Sequence, residues 1–151
     1  MLIRSDISVI PSDFEIDNDI LEVQEKTIQM KNSTLQIINM YNPNGSTPHD
    51  IFNKYFRQLS RNFVLVGDFN ARHQIWSTTD SVNNVSGNAL AKILQNYDNV
   101  CLNSVPGLPT YIHSSTGKMS VLDLCFASRR SLLILQSPLV PVWVVTIFPL
   151  W

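Results

Sequence analysis

Hydrophobic residues along the chain recur at two spacings, one typical of strands and one typical of helices. Residues 21–30 and 34–40 are strand-like and flank a turn signal at 31–33, which predicts two strands joined by a tight turn. Residues 48–60 place apolar side chains three and four positions apart, which predicts a helix. The other predicted strands are 63–66, 100–102, 111–113 and 120–127, and a second predicted helix covers 87–97. Because strands and helices alternate, the pattern favours a layered α/β domain.

The composition fits one globular domain and gives no sign of a strongly charged partner. The chain has 151 residues, of which 44% are hydrophobic and 15% are charged. Its net charge of −1 provides no global basic field, so a nucleic acid would have to be bound by a local patch or through a metal. Cys101 and Cys125 lie in apolar segments without metal-ligand spacing, which predicts buried free thiols in a reducing, intracellular compartment.

The end of the sequence has an unusual composition. Residues 131–151 contain no charged side chain, and a run of this length could cross a membrane. Pro138, Pro141 and Pro149 interrupt it, however, and each removes a backbone donor that a helix needs. We therefore expect no membrane anchor, and the N-terminus, which lacks a long apolar stretch, predicts no signal peptide.

The segment from Val64 to His73 carries the first candidate chemistry. A short apolar run ends in Gly67, which permits another backbone or a ligand to come close. On an extended chain, Asp68 and Asn70 project to the same side. A carboxylate beside an amide suits a metal-assisted phosphoryl site, in which the acid positions or deprotonates a water molecule. The alternative is an ordinary Asx-type turn at the end of a strand.

A second candidate is Asp123, which is flanked by apolar residues. Burying a carboxylate costs several kcal/mol unless it is paired, so Asp123 should have a cation, a histidine or a metal as its partner. The alternative is an exposed acid on an edge strand. Polar residues also follow other strand ends, Tyr41 with Asn44 and Asp68 with Asn70. Strand ends on one edge of a layered sheet can converge on a common crevice.

Four blocks in this order resemble the endonuclease/exonuclease/phosphatase superfamily. They are residues 38–44, 67–73, 109–111 and 120–123, with Gly-Asp-Phe-Asn-Ala-Arg-His as the second block. More narrowly, the chain is similar, from about residue 2 to 137, to the endonuclease domain of Jockey-type non-LTR retrotransposons. The resemblance implies a four-layer α/β sandwich, here with its N-terminal part missing.

The resemblance also implies roles for individual residues in phosphodiester hydrolysis with magnesium or manganese. Asp68 would activate or position the attacking water and contact the metal indirectly, and Asn70 would bind the scissile phosphate. Tyr41 would donate a hydrogen bond near the phosphate, and Asp123 would orient a catalytic histidine. The candidates for phosphate or DNA binding are Asn44, Asn70, Arg72 and His73.

The other histidines and the nearby tryptophan receive simpler interpretations. For His73 the alternative is an ordinary loop residue, and His49 and His113 are expected to be incidental. Trp76 is expected to pack under the loop rather than to stack on a base.

Two motifs expected from the resemblance have no counterpart. The first is an early strand with an asparagine, followed by a strand that ends in the metal-binding glutamate. The second is a terminal Gly-Ser-Asp-His-Phe-Pro block, in place of which residues 143–149 stand. Read from the third base of the Trp143 codon, the codons of that segment permit the missing block. We therefore divide the chain into a partial endonuclease/exonuclease/phosphatase domain, 1–137, and an aberrant apolar tail, 138–151, produced by a frameshift upstream of Trp143.

The expected function follows from the resemblance and these departures. The chain would be a fragment of a retrotransposon-encoded, metal-dependent endonuclease that nicks target DNA to prime reverse transcription, with little activity as it stands. Its expected partners are DNA and a reverse-transcriptase domain in the same polyprotein, and its location would be nuclear. The alternatives are a phosphatase of the same superfamily and a non-catalytic relic that binds nucleic acid or another partner.

Overall fold

The computed structural model of the chain describes residues 5–15, 20–78 and 82–135, so the predicted tail at 138–151 lies outside the described residues. Eleven elements follow one another along these ranges. They are β1 (Val9–Ile10), β2 (Glu22–Gln29), β3 (Thr34–Tyr41), α1 (His49–Phe56), β4 (Phe63–Asp68), α2 (Val85–Asn96), β5 (Val100–Leu102), β6 (Tyr111–Ile112), β7 (Met119–Ser120), β8 (Asp123–Ser128) and α3 (Arg129–Leu135).

Six strands form one mixed sheet in the order β1-β2-β3-β4-β8-β5. Only β3 and β4 pair in parallel, with α1 as their crossover, and the other neighbours are antiparallel. β6 and β7 form a separate two-stranded hairpin. The end of β3, the end of β4 and the start of β8 therefore meet at one end of the sheet.

One face of the sheet packs against α1 and α2 and forms the hydrophobic core. Ile38, Leu65 and Phe126 point to this face from neighbouring strands and are fully buried. Phe56 of α1 meets Phe126 edge to face, with ring centroids 5.7 Å apart. The apolar residues of α2 at helical spacing, Leu90 and Ile93, belong to the same core.

The opposite face of the sheet, which we call the open face, is not packed against α1 or α2. On its central strands the side chains of Ile37, Val64, Val66 and Cys125 are only partly buried, as is Cys101 on the edge strand β5, whereas Ala127 is fully buried. α1 and α2 both pack on the other face, so the described residues form two layers, one of helices and one of strands. This is a mixed α/β fold, in which two of the four predicted layers are described.

Most predicted elements are present within one or two residues of their predicted bounds, but two depart further. The first helix ends at Phe56 and not at residue 60, because hydrogen bonds of Ser60 to residues outside the helix hold this segment in a non-helical conformation. The backbone N–H of Ser60 donates to Oε1 of Gln36 (2.8 Å), and its hydroxyl donates to the carbonyl of Asn62 (2.7 Å).

The strand predicted at 120–127 is divided between two sheets. Ser120 pairs with Tyr111 in the hairpin, whereas β8 begins at Asp123. The intervening Leu122 and Asp123 donate their backbone N–H groups to the hydroxyl of Thr110 (3.0 Å each) instead of continuing one ladder. β1 and α3 were not predicted. No helix among the described ranges has the length and hydropathy required to span a membrane.

Candidate active site at one end of the sheet

A cleft of about 480 Å³ lies where β3 and β4 end and β8 begins. Five of the residues predicted from the sequence line it, namely Tyr41, Asp68, Asn70, Arg72 and Asp123. Four further lining residues come from the segment before β8, namely Thr110, Tyr111, His113 and Leu122. The expected convergence of strand ends is therefore present. The volume of the cleft falls in the range typical of sites that hold a small ligand, about 300–1,000 Å³.

Two carboxylates on neighbouring strands line this cleft. Asp68 on β4 is the register partner of Asp123 on β8. Burial raises the pKa of Asp68, the negative charge of Asp123 raises it further, and the hydrogen bond from the backbone of Asn70 opposes both effects. Asp68 is thus held closer to its protonated form than an ordinary surface aspartate, which suits a group that accepts a proton from water.

The burial argument for Asp123 is wrong. Its side chain is exposed, although its neighbours Leu122 and Leu124 are buried. The strand is not an edge strand either, because β8 lies between β4 and β5. Asp123 is exposed because it is the first residue of β8 and points to the open face, so it needs no buried partner.

The segment after β4 is a turn, and the expectation that it stays extended through Asn70 is wrong. The backbone N–H of Asn70 donates to Oδ1 of Asp68 (2.9 Å), which is the Asx-type turn considered as the alternative. Asn70 has a φ of 44°, in the left-handed region that asparagine tolerates better than most residues. The turn and the candidate site coexist, because both side chains still line the cleft.

A buried asparagine that the sequence analysis did not single out anchors this turn. Asn42 is fully buried, and its carbonyl accepts a bond from Nδ2 of Asn70 (2.8 Å). Its own Nδ2 donates to the carbonyl of Phe69 (2.6 Å) and to the hydroxyl of Ser86 (3.0 Å), and its Oδ1 accepts from Thr47 (2.8 Å). Asn42 therefore ties the loops after β3 and β4 to the start of α2.

Asn84 supports the same region from the N-terminus of α2. Its Oδ1 accepts from the backbone N–H groups of Gly87 (2.8 Å) and Arg72 (3.0 Å). Its Nδ2 donates to the carbonyl of Asn70 (2.8 Å). An asparagine before an apolar helical pattern is a local capping signal, but its link to residues 70–72 depends on the fold.

Gly67 brings β3 and β4 close together just before the catalytic candidates. A Cβ added at Gly67 would lie 1.8 Å from the carbonyl oxygen of Met40, and its φ is 151°. The prediction that another backbone comes close at this glycine is confirmed.

Two predicted site residues do not reach the cleft lining. Asn44 is exposed, and its Oδ1 accepts bonds from the backbone N–H of Ser46 (3.0 Å) and from its hydroxyl. His73 is only 8% exposed, and its Nδ1 accepts from the backbone N–H of Ile75 (3.1 Å). Burial also lowers the pKa of His73, which disfavours the cationic form that would attract phosphate.

The burial of His73 in its loop thus gives no support to the assignment to phosphate or DNA binding and agrees with the alternative of a loop residue. The imidazole packs on Trp76, with ring centroids 5.2 Å apart. Trp76 is fully buried and donates from Nε1 to the carbonyl of Ala71 (2.9 Å), so its predicted packing role is confirmed.

The hairpin formed by β6 and β7 contributes the residues that sequence reasoning missed. His113, which was expected to be incidental, lines the cleft beside Tyr111, and its Nδ1 lies 3.1 Å from the hydroxyl of Ser115. No local pattern marks His113, because only the folding of the hairpin beside β8 brings it there. Thr110 belongs to the Pro-Thr block of the resemblance, and its hydroxyl fixes the backbone at Asp123.

The donor set is suited in kind to a hard divalent cation. Asp68 and Asp123 offer carboxylate oxygens, the ligands that Mg²⁺ prefers, and a cation between them would relieve their repulsion. The described part of the chain contains no group of three or more His, Cys, Asp or Glu side chains that could bind a metal ion. The two aspartates would therefore supply only part of the ligands of such a cation.

Comparisons with known proteins agree with this geometry. The model of a family described as endonuclease-reverse transcriptase matches residues 35–142, well over half of the chain and past the predicted boundary at 137. The solved endonuclease domain of TRAS1, a telomere-specific non-LTR retrotransposon, superposes with a TM-score of 0.64 at 17% identity. The match covers 84% of this chain and 56% of that domain, and no curated protein matches the chain. The likeness to the TRAS1 domain extends to the fold, and the family match shows that the chain belongs to the endonuclease-reverse transcriptase family.

Proposed function

We propose that the cleft binds a phosphodiester of DNA and that the domain it belongs to cleaves target DNA by hydrolysis. The observation that carries this proposal is the convergence of two paired carboxylates, Asp68 and Asp123, with the potential donors Asn70, Arg72 and His113. Carboxylates alone would repel a phosphate, whereas donors on the rim give its oxygens partners. The same cleft thus has one part suited to water and another suited to phosphate.

In this proposal the chain's own residues orient the phosphate and accept the proton of water. Asp68 takes a proton from the attacking water as the water oxygen bonds to phosphorus. The bond between phosphorus and the 3′ oxygen of the sugar breaks on the opposite side, and this oxygen takes a proton from solvent, which leaves the 3′ hydroxyl that priming requires. Asn70 is fixed by Asn42 and Asp68, so its amide meets the phosphate without a large loss of conformational freedom. A divalent cation at Asp68 and Asp123 would neutralise negative charge on the phosphate.

We further propose that this polypeptide by itself nicks DNA weakly. The chain spans 56% of the solved TRAS1 domain, and the glutamate and histidine motifs implied by the resemblance have no counterpart in the sequence. In an intact relative, the nick would prime a reverse transcriptase of the same polyprotein in the nucleus. The family's description, endonuclease-reverse transcriptase, supports that arrangement.

DNA binding and cleavage test the proposal separately. Fluorescence anisotropy with a labelled duplex should show binding that weakens as salt is raised, and Arg72→Ala should weaken it at every sequence tested. Asp50→Asn is the matched control, because Asp50 is an exposed acid in the first turn of α1 and is not part of the cleft. Absence of binding, or equal effects of both variants, contradicts the proposal.

Supercoiled plasmid with Mg²⁺ or Mn²⁺ measures cleavage. We expect slow nicking at most, lost in Asp68→Asn and kept in Asp50→Asn. Rapid nicking would contradict the proposed weakness but not the site. Hydrolysis of phosphomonoesters without DNA binding would favour the phosphatase alternative, and DNA binding that is indifferent to Asp68 would favour the non-catalytic one.

A further inference from the structure

Exposed arginines gather at the end of the sheet that lies opposite the cleft. β4 begins and β8 ends there, because Val64 pairs with Ala127, while Asp68 and Asp123 pair at the cleft. The exposed arginines of the adjoining segments, which we call the basic end, are Arg57 after α1, Arg61 before β4, and Arg129 and Arg130 at the start of α3. Two connections of the chain, α1 to β4 and β8 to α3, thus bring cations to one place.

Side-chain contacts place the basic end on the helix side of the sheet. Nε of Arg129 donates to the carbonyl of Asp98 (2.8 Å), the residue after Tyr97. The ring of Tyr97 contacts that of Phe56, with centroids 6.3 Å apart, and Arg57 follows Phe56 in the chain. In a four-layer domain the second sheet would pack on the open face, so it would not cover this side.

The positive charge of the basic end exceeds the negative charge beside it. Hydrogen bonds bring two acidic residues close: Asp98 through Arg129, and Glu15, whose backbone N–H donates to Oε1 of Gln58 (2.7 Å) in the turn after α1. Among the described residues, no side-chain hydrogen bond or ion pair engages the three other arginines. The whole chain has a net charge of −1, so the basic end is a local concentration of positive charge that attracts anions.

We propose that the basic end binds the phosphate backbone of a segment of duplex DNA other than the segment in the cleft. A guanidinium group is a planar fork that binds two phosphate oxygens at once. Four such groups side by side suit a ligand whose charges recur along its length. The contacts are to the backbone, so they hold DNA without reading its sequence. The choice of DNA as the polyanion rests on the proposed function.

One straight duplex cannot occupy both places. Phe63 lies beside the basic end and Asp68 lies in the cleft, so β4 separates the two by about 17 Å at a rise of about 3.3 Å per residue. Asp68 also points to the open face, whereas Arg57 lies on the helix side. A domain that holds DNA at both places therefore bridges two segments.

Fluorescence anisotropy without divalent metal measures binding at the basic end. The probe is a labelled duplex of about 15 base pairs, and the chain carries Arg72→Ala to weaken the cleft. At about 0.15 M salt, adding Arg61→Glu should raise the Kd at least about tenfold, and the slope of binding against salt should fall by about 1. Lys26→Glu is the matched control, because Lys26 is exposed in the middle of β2 and belongs to neither site.

Equal losses in the two variants overturn the proposal, because net charge alone then explains the binding. Displacement of the duplex by poly-glutamate as readily as by unlabelled duplex also overturns it, in favour of an acidic protein. Circular dichroism verifies folding, and Arg130→Glu replaces Arg61→Glu if that variant does not fold.

Energy transfer between duplexes that carry a donor and an acceptor measures bridging by the unaltered chain. Transfer should rise as protein is added and fall when protein exceeds DNA, because each duplex then has its own protein. Arg61→Glu and Arg72→Ala should each remove the transfer, and Lys26→Glu should keep it. Transfer that survives Arg61→Glu overturns the proposal. Transfer that survives Arg72→Ala but not Arg61→Glu supports the basic end and contradicts DNA binding in the cleft.

Discussion

Gly67→Ala should destabilise the fold more than the same substitution at the other glycines with positive φ, Gly107 and Gly117. The new Cβ would lie 1.8 Å from the carbonyl oxygen of Met40 and 2.7 Å from its carbonyl carbon, and both atoms are backbone. Contacts under 3.0 Å are not observed for real Cβ atoms, so β3 and β4 must separate at the site. The φ of 151° adds strain of about 1–3 kcal/mol for a residue with a side chain.

The separation would also weaken the bond between the backbone N–H of Asn42 and the carbonyl of Asp68 (2.8 Å), worth about 1 kcal/mol. Together these effects lower the free energy of unfolding by about 3–5 kcal/mol, a large part of the ~5–15 kcal/mol typical of a domain. Urea unfolding followed by circular dichroism measures this loss as a lower midpoint with an unchanged slope.

Gly117→Ala is the matched control for conformational strain alone. Gly117 has a φ of 65° in the turn of the hairpin, and a Cβ there would meet nothing within 4 Å. We expect a cost of about 1 kcal/mol, since the left-handed region disfavours side chains but no contact is lost. If Gly67→Ala proves no more destabilising than Gly117→Ala, the close approach of β3 and β4 does not constrain the fold as argued here.

Three further predictions concern the polar groups around the cleft. Asp68→Asn should stabilise the protein at pH 7 by roughly 0.2–1 kcal/mol, because it removes a charge opposite Asp123. The pKa of Asp68 is raised in the folded state, so ionisation of Asp68 lowers the free energy of unfolding as pH rises from 3.8 through the raised pKa. Below pH 3.8 the aspartic acid is neutral like the asparagine, so the variant should show no higher unfolding temperature there. Thr110→Val should cost about 1 kcal/mol in urea unfolding, because two backbone N–H groups lose their acceptor; an unchanged midpoint would show that water replaces the hydroxyl. Asn42→Ala should cost at least about 2 kcal/mol, because the carbonyl of Phe69 and the hydroxyls of Ser86 and Thr47 lose their bonds to the Asn42 side chain. Faster amide exchange at Thr47, whose backbone N–H donates to Ser86, should accompany the loss, and slow exchange would argue against the proposed anchor.

The sequence predicted the elements that depend on local periodicity and missed those that depend on distant partners. The hairpin of β2 and β3, both helices of the core and β4 follow from the spacing of hydrophobic residues, because the side of each element that packs on the core must be apolar. The end of α1 and the break before β8 did not follow, because Gln36 and Thr110 supply the hydrogen bonds that decide them from elsewhere in the chain.

The candidate site was predicted in part for the same reason. Four blocks of residues indicated the family and placed Tyr41, Asp68, Asn70 and Asp123 at one edge, and all four line the cleft. Asp123 shows the limit of the argument from neighbours, since apolar residues along a strand say nothing about which face is covered. Whether a side chain on a sheet is buried depends on what packs against its face, and the sequence of one strand does not show that.

By itself, the sequence determined that this chain is a layered α/β domain with a Gly-Asp-Phe-Asn segment at a strand end, because periodicity and turn chemistry are local. Only the tertiary structure decided that His73 is buried under its own loop and that His113 reaches the cleft. Both histidines lie in polar loops, and no local pattern distinguishes them. His73 packs on Trp76 of its own loop, and the burial of Trp76 in the core places that loop. His113 reaches the cleft through the hairpin whose Thr110 bonds to the start of β8, and both placements form only when the whole sheet is assembled.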